Sequence, residues 1–180
     1  MGSKTDMAIL GMLTIEPMSG YEMKQFCEES LSHFWYETFG NLYPRLKQLT
    51  DEGLVKGRSE KRERGPDAIV YSLTSQGRAR LRKWLIEPPD SENVRSEFML
   101  KFFFGAQAPA DVNEQRLIDY EEEQKRIRKR YQLIEQTLRD VLDGHKDEFY
   151  WLMSLRRGQL LNEARLRWCR ECRTKFAELK

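Results

Sequence analysis

Between residues 38 and 77 the chain reads TFGNLYPRLKQLTDEGLVKGRSEKRERGPDAIVYSLTSQG, and few folds accept that order of signals. Leu42, Leu46 and Leu49 recur at spacings of four and three, which places them on one face of a helix over about 39–52. Thr38 is placed to cap this helix and Gly53 to stop it. Two runs rich in β-branched and aromatic residues follow, 54–59 and 69–73. A charged loop closed by Gly65-Pro66 separates them. A short helix feeding a hairpin with a basic tip predicts a winged helix, in which the helix enters the DNA major groove and the hairpin reaches the backbone.

On a helical wheel Gly40, Asn41, Pro44, Lys47 and Gln48 point away from the leucines, with Tyr43 and Arg45 on the flanks. That outward face carries an amide, a base and small residues near the helix start, where reading helices contact base edges. The same periodicity suits an ordinary core helix with a solvated outer face. Pro44 falls about six positions into the expected helix, where its ring crowds the carbonyl of Gly40. Either the helix starts later or its first turn is bent.

Charge distribution agrees with nucleic acid where total charge does not. The net charge is only +2, but residues 45–83 hold eleven Lys/Arg against five Asp/Glu, and residues 1–37 hold two against six. A local basic block beside the hairpin suits phosphate contact, although a solvated helix and loop account for it equally.

Four short motifs in fixed order sharpen the reading. They are Ser19-Gly20-Tyr21-Glu22, the run Gly40-Asn41-Leu42-Tyr43-Pro44-Arg45-Leu46, then Glu52-Gly53-Leu54-Val55, and Tyr71-Ser72-Leu73-Thr74-Ser75-Gln76-Gly77. Together they resemble the PadR family of bacterial transcriptional regulators, over about residues 18–78. The outward face and flanks of the reading helix, with Tyr21 and Lys24 near the start of the helix that crosses the DNA backbone, give an expected DNA-contacting set of Tyr21, Lys24, Thr38, Gly40, Asn41, Tyr43, Pro44, Arg45, Lys47 and Gln48. Many members carry a base just after the Gly-Pro turn, whereas Asp67-Ala68 follow here, so wing contacts fall to Lys61, Arg62 and Arg64. Tyr21 suits the core equally well.

The rest of the chain is read as helices. Thr5-Asp6 cap a first helix to about residue 15, and Ser19 with Glu22 forms a capping box for a second. Phe34-Trp35-Tyr36 reads as a short strand. Thr74 caps a helix over 75–86, and Pro88-Pro89 ends it. The chain is thus expected to be mainly α (α+β): a winged helix-turn-helix domain over 5–88 and a helical dimerisation domain over 92–179.

Residues 92–105, with Phe98, Leu100, Phe102, Phe103 and Phe104, form a helix too apolar for a solvated linker. Ala108-Pro109 open a long helix, ended at Asp143-Gly144. Along it Leu117, Tyr120, Gln124, Ile127, Tyr131, Ile134, Leu138 and Val141 alternate spacings of three and four, a seam that calls for a partner helix. Gln124, its polar member, either sets register or faces solvent. The last helix, 147–179, places Met153, Leu160, Ala164, Trp168 and Cys172 on one stripe. A homodimer is the economical way to bury such seams, and the resemblance implies the same. It also implies a repressor on an inverted-repeat operator, released by a small aromatic or hydrophobic compound. Phe98, Phe102, Tyr150 and Trp151 are the expected lining of its pocket.

Cys27, Cys169 and Cys172 make an odd count with no leader pattern before them, which argues against a disulfide framework. The C-x-x-C spacing at Cys169 and Cys172 lies in a helical pattern, where i and i+3 merely share a face. A thiol-based redox sensor and a winged-helix protein-interaction module remain alternative readings. No glycine-rich phosphate loop, paired catalytic carboxylates or Cys-His arrangement indicates an enzyme. Neither His33 nor His145 has metal-type neighbours, so no metal or cofactor is expected. No apolar run reaches the ~18 residues of a membrane span, so a cytoplasmic location is expected.

Overall fold

The computed structural model describes residues 3–31, 34–35, 41–61, 68–92, 94–141 and 146–178, with only the backbone of residues 137 and 139–141. Two compact units divide the chain, Met1–Ser91 and Glu92–Lys180.

The first unit begins with α1, Lys4–Met12. Its N-cap is Ser3 rather than Thr5: the Ser3 hydroxyl accepts from Thr5 N, and Asp6 Oδ2 accepts from Ser3 N at 2.9 Å. Thr5 and Asp6 therefore lie inside the first turn, and Asp6 forms the return half of a capping box. The two-residue strand β1, Met18–Ser19, precedes α2, Gly20–Phe26, which relaxes into a π-helical turn over Cys27–Leu31. Ser19 and Glu22 form the expected capping box. Phe34 is in a turn and Trp35 is irregular, so neither is in the expected strand; Tyr36 lies outside the described residues.

Helix α3 spans Leu42–Asp51, starting later than the periodicity suggested. Pro44 thereby falls in its first turn, where no intrahelical bond is lost and the crowding disappears. Gly53 ends the segment at φ 70°, a conformation open to glycine at little cost. Strands β2, Val55–Glu60, and β3, Ala68–Leu73, pair antiparallel in register Val55↔Leu73 to Glu60↔Ala68. Strand β1 pairs with the other edge of β3, through Met18↔Tyr71 and Ser19↔Val70, giving the order β1-β3-β2. Helix α4, Ser75–Leu85, packs on α1. Ile9, Leu10, Met12, Met23, Leu46, Leu49 and Val55 are sealed in the core of this unit. Burying each such side chain contributes about 1.5–3 kcal/mol.

The second unit holds α5, Glu97–Phe103, and two long helices, α6, Ala110–Val141, and α7, Glu148–Glu178. Helices α6 and α7 pair with each other as an antiparallel hairpin in the same chain. Leu117, Gln124 and Tyr131 of the expected seam are buried there, with Tyr120, Ile127, Ile134 and Leu138 half-buried; the Val141 side chain lies outside the described residues. Within one chain the seam thus packs on α7. On α7 the buried stripe is Leu155, Gly158, Asn162, Leu166 and Cys169. Met153, Leu160 and Ala164 of the expected stripe are exposed, on the far side of the helix. Helix α7 therefore carries two apolar stripes, and α6 takes the one that includes a glycine and an asparagine.

Candidate nucleic-acid interface

Leu42, Leu46 and Leu49 anchor α3 to the core and turn Asn41, Tyr43, Pro44, Lys47 and Gln48 outward. Asn41 stands at the N-cap, yet its side chain makes no cap bond, so its amide stays available at the end where base edges are read. Two of the expected DNA-facing side chains are engaged by neighbouring side chains. Arg45 Nη1 lies 3.6 Å from Oδ1 of buried Asp6 on α1 and donates to Gln48 Oε1 at 3.2 Å. Gln48 Nε2 in turn donates to Glu52 at 2.8 Å. Thr38 and Gly40 lie outside the described residues.

Tyr43 is 65% exposed, and its ring covers Gly20 at the start of α2. Its phenol adjoins Tyr71 on β3, whose own phenol is pushed up from its ordinary value first by burial and then by Tyr43. Tyr21, at the start of α2, is 67% exposed and so is not a core residue. Lys24 is exposed beside Glu28 at 3.9 Å.

On the hairpin, alternation puts Val55, Gly57 and Ser59 on one face and Lys56, Arg58 and Glu60 on the other. Lys56, Arg58 and Lys61 are exposed cations, and none has an ion pair among the described residues. Arg62 and Arg64 lie outside the described residues. The sequence reading missed Lys56 and Arg58. Their signal in the sequence is the period of two that sets them opposite Val55.

In the second unit Phe98 stacks on Tyr120 at 4.0 Å, and Phe102 meets Trp168 edge-on at 5.0 Å. Phe102, Trp168, Glu171, Cys172, Lys175 and Phe176 line an open cleft of about 410 Å³. Tyr150 is instead exposed and packs edge-on with Phe149 at 5.5 Å. Seventeen residues along α7 separate Trp151 from Trp168, about 26 Å at the helical rise. A single chain therefore does not bring Phe98 and Phe102 together with Tyr150 and Trp151. Burial raises both thiols of the C-x-x-C pair, Cys169 to about 11, the opposite of what an activated cysteine needs. Among the described residues no group of three or more His, Cys, Asp or Glu is placed to hold a metal ion.

Residues 9–83 match the family model described as transcriptional regulator PadR-like, and residues 94–177 match the one described as virulence activator alpha C-term. The chain belongs to the PadR-like family of transcriptional regulators. PadR-like proteins are regulators rather than enzymes. A curated member, the negative transcriptional regulator PadR of Bacillus subtilis, is 40% identical over 98 residues, 54% of either protein. The chain thus spans about half the length of the curated relative it matches. Among solved PadR-like structures, Bacillus subtilis PadR in complex with operator DNA superposes with a TM-score of 0.82 at 26% identity, over 97% of this chain and 99% of that one. The same protein in complex with p-coumaric acid gives 0.76 at 26% identity, over 96% and 98%. These neighbours share the winged helix and the long C-terminal helices. Among the described residues no helix is long and apolar enough to cross a membrane.

Proposed function

We propose that this PadR-like chain is a sequence-specific DNA-binding repressor that acts as a homodimer on an inverted-repeat operator. The observation that carries this reading is Asn41: exposed, free of capping, and flanked by Lys47 on the outward face of α3. Lys56, Arg58 and Lys61, which have no ion pair among the described residues, supply the sequence-independent attraction to phosphate. The winged unit, 5–88, reads DNA, and the helical unit, 92–179, joins the subunits. Since α6 spends its seam on α7 of the same chain, dimerisation falls to the second stripe of α7, Phe149, Met153, Leu160 and Ala164. The first three of these are large, apolar and exposed. Apolar surface of this extent on a helix suits a subunit interface.

A small aromatic acid releases the repressor, on this reading, from the cleft beside Phe102 and Trp168. Its rings suit an aromatic ligand, while its Lys175 is paired with Glu178 at 2.8 Å and Glu171 adds a carboxylate to the lining. The p-coumaric acid complex of the Bacillus subtilis neighbour supports that ligand class.

Selecting bound duplexes from a random-sequence pool with the full-length protein tests the main reading. Enriched sequences should be inverted repeats with half-sites about one helical turn apart, or a multiple of it. One chain per site at saturation, or binding indifferent to salt, overturns the reading.

A further inference from the structure

We propose that the outer face of α4 is a second phosphate-binding surface, which engages DNA flanking the half-site read by α3. It rests on the DNA-binding reading above. Helix α4, SQGRARLRKWL, carries Arg78, Arg80, Arg82 and Lys83 and no acidic residue. All four are exposed, and none has an ion pair among the described residues. Being unpaired does not by itself single these four out, since Arg128, Lys129, Arg165 and Arg167 of the second unit are also exposed without an ion pair among the described residues; what sets α4 apart is four cations in eleven residues with no acid among them. A merely solvated helix in a chain of nearly balanced charge mixes the two signs. Arg82 and Lys83 complement the C-terminal end of the helix dipole; Arg78 and Arg80 stand too early in the helix to do so.

The roll of α4 is fixed. A β-carbon on Gly77 would stand 2.1 Å from the Leu54 carbonyl oxygen, so the helix lies directly on that backbone. The Thr74 hydroxyl caps α4 by accepting from Gly77 N at 3.0 Å and donates to Gly53 O at 2.8 Å. Leu81 is buried on the same side. With that side clamped to the end of α3, the four cations are held outward and cannot turn in. Three of them are arginines, whose planar fork matches phosphate oxygens in pairs. A duplex longer than the operator provides that chemistry to a unit whose reading helix is already seated on it.

The test uses the full-length protein and a selected operator in two forms, bare and extended by about one helical turn on each side. The wild type should bind the extended form more tightly. Its salt dependence should steepen by about 0.9 per added phosphate, an extra loss of roughly threefold per phosphate between 50 and 200 mM salt. Arg78→Glu with Arg80→Glu should keep the bare-operator affinity and lose the gain from the flanks. Both positions are exposed and glutamate is a good helix former, so the helix should survive the changes. Equal wild-type affinity for the two forms overturns the proposal and leaves the DNA-binding reading intact; α4 would then be a docking face for an acidic protein. An equal loss on both duplexes also overturns it. Binding to neither duplex removes the underlying reading as well.

Discussion

The ring of Tyr43 occupies the space that a β-carbon on Gly20 would need: the two would stand 2.8 Å apart. Gly20 opens α2, and Tyr43 lies in the first turn of α3. The motifs that contain them are therefore two halves of one contact, which on the proposed reading joins the helix crossing a DNA backbone to the helix reading it. Gly20→Ala must push the exposed ring aside. Folding stability should change by no more than about 1 kcal/mol, because alanine also favours the helix. Operator affinity should fall. Double-mutant cycles with Tyr43→Ala should give a coupling of about 0.5–3 kcal/mol in binding. Additive losses would mean that the contact does not orient α3.

Asp6 should restrain Arg45. Its nearly buried carboxylate holds the guanidinium on the inner side of α3, at 3.6 Å. Asp6→Asn keeps an acceptor for the Ser3 amide and removes the charge. Arg45 should then reach phosphate, steepening the salt dependence of non-specific binding by about 0.9. Adding Arg45→Ala should cancel the gain. An unchanged slope would show that Arg45 stays in place without its partner.

The two stripes of α7 should separate folding from assembly. Leu117→Asp buries an unpaired carboxylate inside the hairpin, at a cost of several kcal/mol, and should unfold the second unit. Met153→Asp with Leu160→Asp alters exposed positions of one chain. It should leave helix content intact while the mass in solution falls to that of a monomer. A folded dimer from that double variant would place the interface elsewhere.

Base reading and phosphate contact should also part. Asn41→Ala should relax sequence preference by about 1–3 kcal/mol if its amide reads a base. Lys56→Ala with Arg58→Ala should weaken specific and scrambled DNA alike, since phosphates carry no sequence. Competition binding distinguishes the two outcomes.

Thiol chemistry gives a pH prediction. Burial first, then Glu121 and Cys172, raise Cys169 from an ordinary 9.0 to about 11. The folded state thus holds its proton more tightly than the unfolded chain does. That stabilisation is complete below pH 9 and is lost as pH rises toward 11. Thermal unfolding followed from pH 8 to 11 should show the loss in wild type and a smaller one in Cys169→Ala. Alkylation at pH 8 should reach Cys172 before Cys169, which is fully buried.

The α3–hairpin segment and the second capping box were legible because their determinants are local: leucine spacing, a serine before a glutamate, and strand runs around a Gly-Pro loop. Strand β1 was not. Two residues carry no periodicity, and Met18–Ser19 are a strand only because the edge of β3 accepts them. Ser3 outcompetes Thr5 as the first cap because Asp6 sits three residues after it and completes a capping box. The α7 stripe was misassigned for another reason. Hydrophobic counting skips Gly158 and Asn162, yet these small and polar residues let α6 approach closely. That same antiparallel pairing decides which aromatics meet. It sets Trp168 and Phe176, not Tyr150 and Trp151, beside the helix that carries Phe98 and Phe102.

The Asn162 side-chain amide donates both to the Gln124 backbone carbonyl, at 3.0 Å, and to its Oε1, at 3.1 Å, deep between α6 and α7. Its own oxygen is buried with no hydrogen-bond partner, which costs about 1–3 kcal/mol. A slide of one turn, about 5.4 Å, would set Asn162 against Tyr120 or Arg128 and break both bonds. The hairpin thus gives up free energy to have a single alignment. It is a keyed rod rather than a pair of rails: a slip that would absorb a tilt imposed at one end must first break the Asn162–Gln124 bonds.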